Sequence, residues 1–446
     1  MSTTTTPATP AAATPGAFYR TGRYAPVAEE TTRTELTVRG HIPPSLHGMY
    51  VRNGPNPRGA AGHWFTGDGM VHGVELSDGR ANWYRNRYVR STTFTHGAPF
   101  VRDDLTIDRA AGMINTNVIQ HAGRVLALSE SSFPYELTGH LDTVGAFDFD
   151  GRLTTAMTAH PKICPTTGEL HFFGYGYTAP FLTYHMADRL GRLVHTEIVE
   201  VPGATMMHDF AITAQSVVFM DLPVVFDLEL AARGTMPYRW SDTYGARIGV
   251  LDRAGRRPVR WYEIEPCYVF HVLNAFEAGD VITIDVVRYP EQWRDGPDDF
   301  HKATLWRWTI NASTGRVTEE ELDDRTCEFP RIDDRLAGLE HRIGYAVHVD
   351  EAPVPTGSIL RYDLQRGRRD VIGVGAGRVP AEPVFVPAGP TSAEHDGYLM
   401  TYVYDCHRDG SDLVILDAAD PSAKPIAVVE LDVRVPMGFH GNWLPR

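Results

Sequence analysis

The sequence predicts an all-β chain folded as a β-propeller. Short apolar–polar strand patterns run from the end of a low-complexity N-terminus almost to the last residue. Helical periodicity is scarce. A strand-plus-turn unit also recurs at the spacing of propeller blades.

The first 16 residues are Thr, Ala and Pro with no basic or apolar block. They are expected to form a disordered tail (residues 1–16) and not a signal peptide. Residues 17–446 show no linker and are read as a single domain. Within it, residues 217–222, 281–287 and 399–404 are rich in β-branched and aromatic side chains and are bounded by turn formers, so each is expected as a strand. Residues 225–233 are the best short helix candidate and would belong to a cap or entrance segment. The recurring unit, an apolar strand followed by a turn rich in Asp, Asn and Gly, occurs at 181–191, 248–255, 305–315, 359–367 and 414–417. Seven such blades would average about 61 residues, with the excess over a minimal blade placed in loops on one face.

A net charge of −14 argues against a nucleic-acid surface, which needs clustered Lys and Arg. Cys164, Cys267, Cys327 and Cys406 form no C-x-x-C pair and read as free thiols of a cytoplasmic protein. No apolar run reaches the length of a membrane span. Residues 222–228 are either a hydrophobic entrance patch for peripheral membrane contact or ordinary core.

Among 19 histidines, four have a suggestive setting: His160, His208, His271 and His440. They are separated by 48, 63 and 169 residues, close to whole numbers of blades. Innermost strands line a propeller's axis, so one His from each of several blades would converge there. Neutral imidazoles suit iron, copper or zinc. Any one of the four alone is more often a satisfied core histidine. Metal-bound His usually gives its other ring proton to a carboxylate or carbonyl, and Glu130, Glu328 and Glu382 lie in apolar contexts where an unpaired Glu is rare. A strand end facing solvent is the alternative for each.

Residues 50–57 (YVRNGPNP), 63–72 (HWFTGDGMVH), 84–89 (YRNRYV), 115–117 (NTN), 328–333 (EFPRID) and 439–443 (FHGNW), taken in order with the four His segments, resemble the carotenoid cleavage oxygenases. That family includes apocarotenoid-, retinoid- and stilbene-cleaving enzymes. The likeness runs from about Tyr24 to Pro445. It implies a seven-bladed propeller with a cap of loops and short helices over the iron-bearing face. It implies Fe(II) held by His160, His208, His271 and His440, with Glu130, Glu328 and Glu382 directly behind them. His72 matches a family position that is not a ligand, and Gly67–Gly69 reads as a tight turn. The substrates implied are a hydrophobic alkene and O2, with no protein nucleophile.

In the stilbene-cleaving branch a Lys is expected immediately before the first of these glutamates, to bind the substrate phenol. Here that position is Ser129. The expectation is therefore a carotenoid or apocarotenoid, with a stilbene or phenylpropanoid of the lignostilbene or isoeugenol type as the alternative. A non-oxidative isomerohydrolase and a propeller used only for binding are rival readings. Phe65, Tyr88, Ser129, Phe133 and Phe270 are the pocket candidates, with plain core packing the commoner role for each of the three phenylalanines.

Overall fold

The computed structural model describes residues 18–59, 63–104, 106–296, 299–351 and 354–446, so the tail expected at 1–16 lies outside the described residues. Seven antiparallel sheets of four to six strands are set around one axis. Their first strands are, from the first blade to the seventh, Gly441–Pro445, Asn117–His121, Lys162–Ile163, Ala211–Ile212, Tyr268–Ala278, Glu328–Arg331, and the pair Arg378–Pro380 and Val384–Pro387.

The ring is closed from both ends of the chain. The last strand, Gly441–Pro445, pairs with Gly48–Pro55 as the inner edge of the first blade, with Gly441 opposite Arg52. Near the other end, Thr37–Gly40 pairs with Ala427–Glu430 as the outer edge of the seventh. Closure brings Gly54 and Gly438 so near that a Cβ on Gly54 would sit 2.7 Å from the Gly438 Cα. That approach lies two residues before His440 and is open only to glycine.

The recurring unit in the sequence is the third strand of a blade with its turn. It appears as Leu182–Ala187, Arg247–Asp252, Thr304–Asn311, Thr356–Asp363 and Gly410–Asp417 in blades three to seven. Middle strands pack against a neighbouring blade on both faces, so Gly48–Pro55 is buried at every residue. Outer strands alternate, as in Leu193–Ile198. The apolar clusters lie in the seams between blades: Phe173, Tyr184, Phe210 and Phe219 join the third to the fourth, and Tyr50, Tyr84, Tyr402 and Leu413 join the first to the seventh.

The short helix differs from its expected bounds. Val224–Phe226 is a strand paired with Tyr238–Trp240, and the helix is Leu228–Ala232. Asp227 separates them because its carboxylate accepts the Leu230 amide at 3.0 Å and caps the helix. This hairpin and helix are inserted between the second and third strands of the fourth blade. Of the stretch 222–228, Leu222 and Val224 are core, while Leu228 is 74% exposed.

Leu413 is fully buried in the closing seam. Leu413→Ala is expected to destabilise the protein by about 2–5 kcal/mol, read from urea unfolding midpoints, without changing the metal content of the folded fraction.

Candidate metal centre

His160 and His208 lie just before the first strands of blades three and four. His271 lies within that of blade five, and His440 directly precedes that of blade one. Four short inner-edge segments thus point side chains at one place. All four are buried, and one ring nitrogen from each lies within 4.8 Å of the others. His160 Nε2 and His208 Nε2 are 3.0 Å apart. His271 Nε2 is buried with no hydrogen-bond partner among the described residues. Lone pairs converging in a dry site need a cation between them, and four neutral imidazoles form a transition-metal donor set.

The opposite ring nitrogens meet carboxylates. His271 Nδ1 donates to Glu328 Oε2 at 2.6 Å, and His440 Nδ1 donates to Glu382 Oε1 at 2.9 Å. His208 Nδ1 stands 3.5 Å from Glu130 Oε1, too long for a good hydrogen bond, so both atoms lack one among the described residues. The carboxylates are held in turn. Tyr289 donates its hydroxyl to Glu328 Oε1 at 2.8 Å, and Tyr175 donates to Glu130 Oε2 at 3.1 Å. Glu382 Oε2 accepts from Arg331 Nη1 at 3.1 Å and from the Gly441 amide at 2.8 Å.

These contacts set the charges. Burial opposes ionisation of Glu382, but His440 and Arg331 outweigh it and hold the carboxyl at about 2. Burial also opposes ionisation of Glu328, yet its bond with His271 keeps it below the usual carboxylate range. Burial lowers His271, and Glu328 reverses this to a net rise. Burial keeps His440 low despite Glu382, and holds His160 far below the ordinary histidine value beside three other imidazoles. Glu328 and Glu382 stay anionic, and by accepting at Nδ1 they turn the Nε2 of His271 and His440 toward the cluster.

A cavity of about 1150 Å³ reaches this cluster, with His208, His271 and His440 in its wall. Its other walls are mostly apolar and include Phe226, Leu228, Met236 and Tyr238 of the inserted segment. Phe65, Ser129 and Phe270 line it. Ser129 Oγ is hydrogen-bonded to Ser132 Oγ at 2.7 Å, so no cation occupies this position. Tyr88 and Phe133 are not among the lining residues. Tyr88 is turned to Asn56, whose Nδ2 donates to its hydroxyl at 2.6 Å, and its ring packs on Phe94. Phe133 packs with Phe147 and Ile163 against the seam between blades two and three. His72 Nδ1 lies 2.8 Å from the Tyr84 hydroxyl, and burial pushes it down to about 3, so it is a neutral core histidine.

Sequence reasoning missed Tyr175, Tyr289 and Phe329. Phe329 has φ +55°, and its ring stacks on His271 with 5.5 Å between centroids. The register slips between Glu328 and Arg331, and this bulge turns the ring into the cavity wall. Such a backbone costs on the order of 1–3 kcal/mol. The only hint was a phenylalanine squeezed between Glu328 and Pro330.

Residues 24–445 match the family described as Retinal pigment epithelial membrane protein. The chain is similar to a carotenoid cleavage oxygenase of Mycobacterium tuberculosis, with 42% identity over 96% of this chain and 97% of that protein. It is also similar to a carotenoid 9,10(9',10')-cleavage dioxygenase of Crocus sativus, with 35% identity over 95% of this chain and 88% of the relative. Among solved structures it resembles the Pseudomonas brassicacearum lignostilbene dioxygenase, with a TM-score of 0.88 and 31% identity over 96% of this chain and 98% of the other.

Replacing His271 with Ala should abolish stoichiometric metal binding. Glu328→Gln and Glu382→Gln should each weaken it by about 10- to 100-fold. Chelator competition measures all three, and unchanged affinity across the set would refute the ligand assignment.

Proposed function

This chain belongs to the retinal pigment epithelial membrane protein and carotenoid cleavage oxygenase family, and on that premise we propose that it is an Fe(II)-dependent dioxygenase cleaving a carbon–carbon double bond of a carotenoid or apocarotenoid. One C=C bond breaks and two C=O bonds form, with one oxygen atom of O2 entering each fragment. The observation that carries the substrate reading is the cavity: apolar, about 1150 Å³, and ending on three of the histidines. It is larger than the roughly 300–1,000 Å³ of ordinary small-molecule sites, which suits a long hydrocarbon.

His160, His208, His271 and His440 are the residues that would hold iron. When bound, iron supplies the redox chemistry with O2 that no side chain here can perform. The protein's part is positioning and exclusion of water. Glu328 and Glu382 accept the Nδ1 protons of His271 and His440, which fixes the tautomer and leaves Nε2 unprotonated. Arg331, Tyr289 and Tyr175 keep the carboxylates in place. Phe270 and Phe329 give the alkene apolar walls beside the histidines.

A second reading, cleavage of a stilbene or phenylpropanoid, is favoured by the likeness to the lignostilbene dioxygenase. Ser129 weighs against it. A hydrogen bond from a cationic group to a phenolate is worth about 1.5–3 kcal/mol, and Ser129 offers no such group.

We also read residues 17–446 as one domain, since strands from both ends of the chain close one ring. No helix among the described residues is long and apolar enough to cross a membrane. Leu228, Val101 and Phe300 are exposed and line the cavity; we propose that they touch a membrane surface from which substrate enters. The four free thiols fit a reducing compartment, which we take to be the cytoplasm.

Iron-loaded protein offered carotenoids, apocarotenals, hydroxystilbenes and propenyl phenols is expected to turn over the isoprenoids at the highest kcat/KM. With ¹⁸O₂, label is expected in both carbonyl products. A preference for stilbenes would replace the main reading with the second, and unlabelled product would point to an isomerohydrolase. Co-sedimentation with phospholipid vesicles is expected for the wild type and reduced for Leu228→Asp; no pelleting of the wild type would remove the membrane contact.

A further inference from the structure

One more buried carboxylate stands at the centre. Asp209 follows His208 directly and is 2% exposed. Its Oδ1 meets the Lys162 ammonium at 2.7 Å and accepts the Phe210 amide at 2.7 Å. Its Oδ2 accepts the Val272 amide at 2.8 Å. Lys162 is two residues past His160, and Val272 is one past His271. The register of Tyr268–Ala278 against its neighbour slips on either side of Val272. A single side chain thus ties together the segments that carry three of the four histidines, from three consecutive blades. Neither Asp209, Lys162 nor Val272 lines the cavity, so none of them touches substrate.

Asn117 makes the matching link on the other side. Its Nδ2 donates to the carbonyl of Ala159, the residue before His160, at 2.8 Å. Its Oδ1 accepts from Asn442 Nδ2, two residues past His440, at 3.0 Å. The two links meet at the His160 segment. The order around the axis is then His440, Asn117, His160, Asp209 with Lys162, His208, and His271. A polar belt runs beside the ligands and holds their backbones blade to blade.

We propose that Asp209 is a positioning residue for the metal, setting the mutual placement of His160, His208 and His271 through Lys162 and the Val272 amide. The proposal rests on reading the four histidines as ligands. The carboxylate matters as such because all three of its partners are donors. An amide in its place would turn an NH2 group toward one of them. The separation of blades three, four and five at the axis would then no longer be pinned, and a donor set a few tenths of an ångström wider binds metal more weakly and in a different field.

The test uses the full-length protein, stripped of metal and titrated with Co(II), whose d–d absorption reports ligand geometry. The variants are Asp209→Asn, Lys162→Met, Lys162→Arg and, as a control, Asp285→Asn. Asp285 is fully buried; its side chain pairs with Arg307 at 2.7 Å and stands 3.5 Å from His341, neither of them among the four candidate ligands. Asp209→Asn is expected to weaken Co(II) binding about 10- to 100-fold, the range for removing a group that orients ligands, and to shift the d–d bands. Lys162→Met should weaken it several-fold and Lys162→Arg restore it; this pair carries the test should Asp209→Asn not fold. Asp285→Asn should unfold earlier yet bind Co(II) with wild-type affinity and spectrum. Wild-type affinity and spectrum in both Asp209→Asn and Lys162→Met, or an equal change in Asp285→Asn, overturns the role of Asp209. A wild-type protein that takes up no cobalt overturns the ligand reading itself, and the role of Asp209 with it.

Discussion

A histidine that offers Nε2 to a metal must place its Nδ1 proton elsewhere, and here the acceptor comes from a neighbouring blade. Glu328 of the sixth blade serves His271 of the fifth, and Glu382 of the seventh serves His440 of the first. Neither bond exists unless the ring is closed at the right radius. Ring closure and the orientation of the imidazoles are therefore one constraint. The strand Gly441–Pro445 shows this most directly, because it closes the first blade, donates the Gly441 amide to Glu382, and is preceded by His440.

Burying carboxylates this way is costly without partners. Each is surrounded by donors: Arg331 and the Gly441 amide at Glu382, Tyr289 and the Phe329 amide at Glu328, and Tyr175 at Glu130. Arg331 does more than compensate charge. Its Nη1 also donates to the Gly441 carbonyl at 2.8 Å and its Nη2 to Asn442 Oδ1 at 3.0 Å, which links the sixth blade to the first. The same groups that make the metal site electrostatically tolerable also lock the blades. The long, looser His208–Glu130 contact is the exception, and it faces the cavity.

Function then divides between the belt and the cavity. The polar ring around the axis, built by Asn117, Asp209, Arg331 and their partners, presents the donors. The inserted hairpin and helix of the fourth blade and the aromatic walls shape what reaches them. Ser129, bonded to Ser132, puts a neutral hydroxyl in a mostly apolar wall that also carries Arg109 and Lys302.

Much of this was legible in the chain. Strands at 217–222, 281–287 and 399–404 announced themselves because both-sided burial between blades demands β-branched and aromatic residues. The turn unit was readable in blades three to seven because their third strands end in turns drawn from Asp, Asn and Gly. The third strands of the first two blades, Gly69–Ser77 and Tyr135–Leu137, run into Asp- and Gly-containing stretches as well, at Asp78-Gly79 and from Gly139 to Asp142, but did not stand out as members of the repeat. The spacing of His160, His208, His271 and His440 raised an axial site, and the resemblance supplied iron and the glutamates. What local pattern could not contain was long-range. Tyr88 and Phe133 looked like pocket aromatics but pack elsewhere, because an aromatic side chain carries no mark of which side of a seam it faces. Tyr175, Tyr289, Phe329 and Asp209 act through partners dozens of residues away or through one strained backbone angle. Amino-acid order by itself determined the all-β architecture and marked the four histidine-bearing segments, since strand period and turn chemistry are local. Which carboxylate backs which histidine, and which walls the substrate meets, was decided only when closure of the ring brought distant segments into contact.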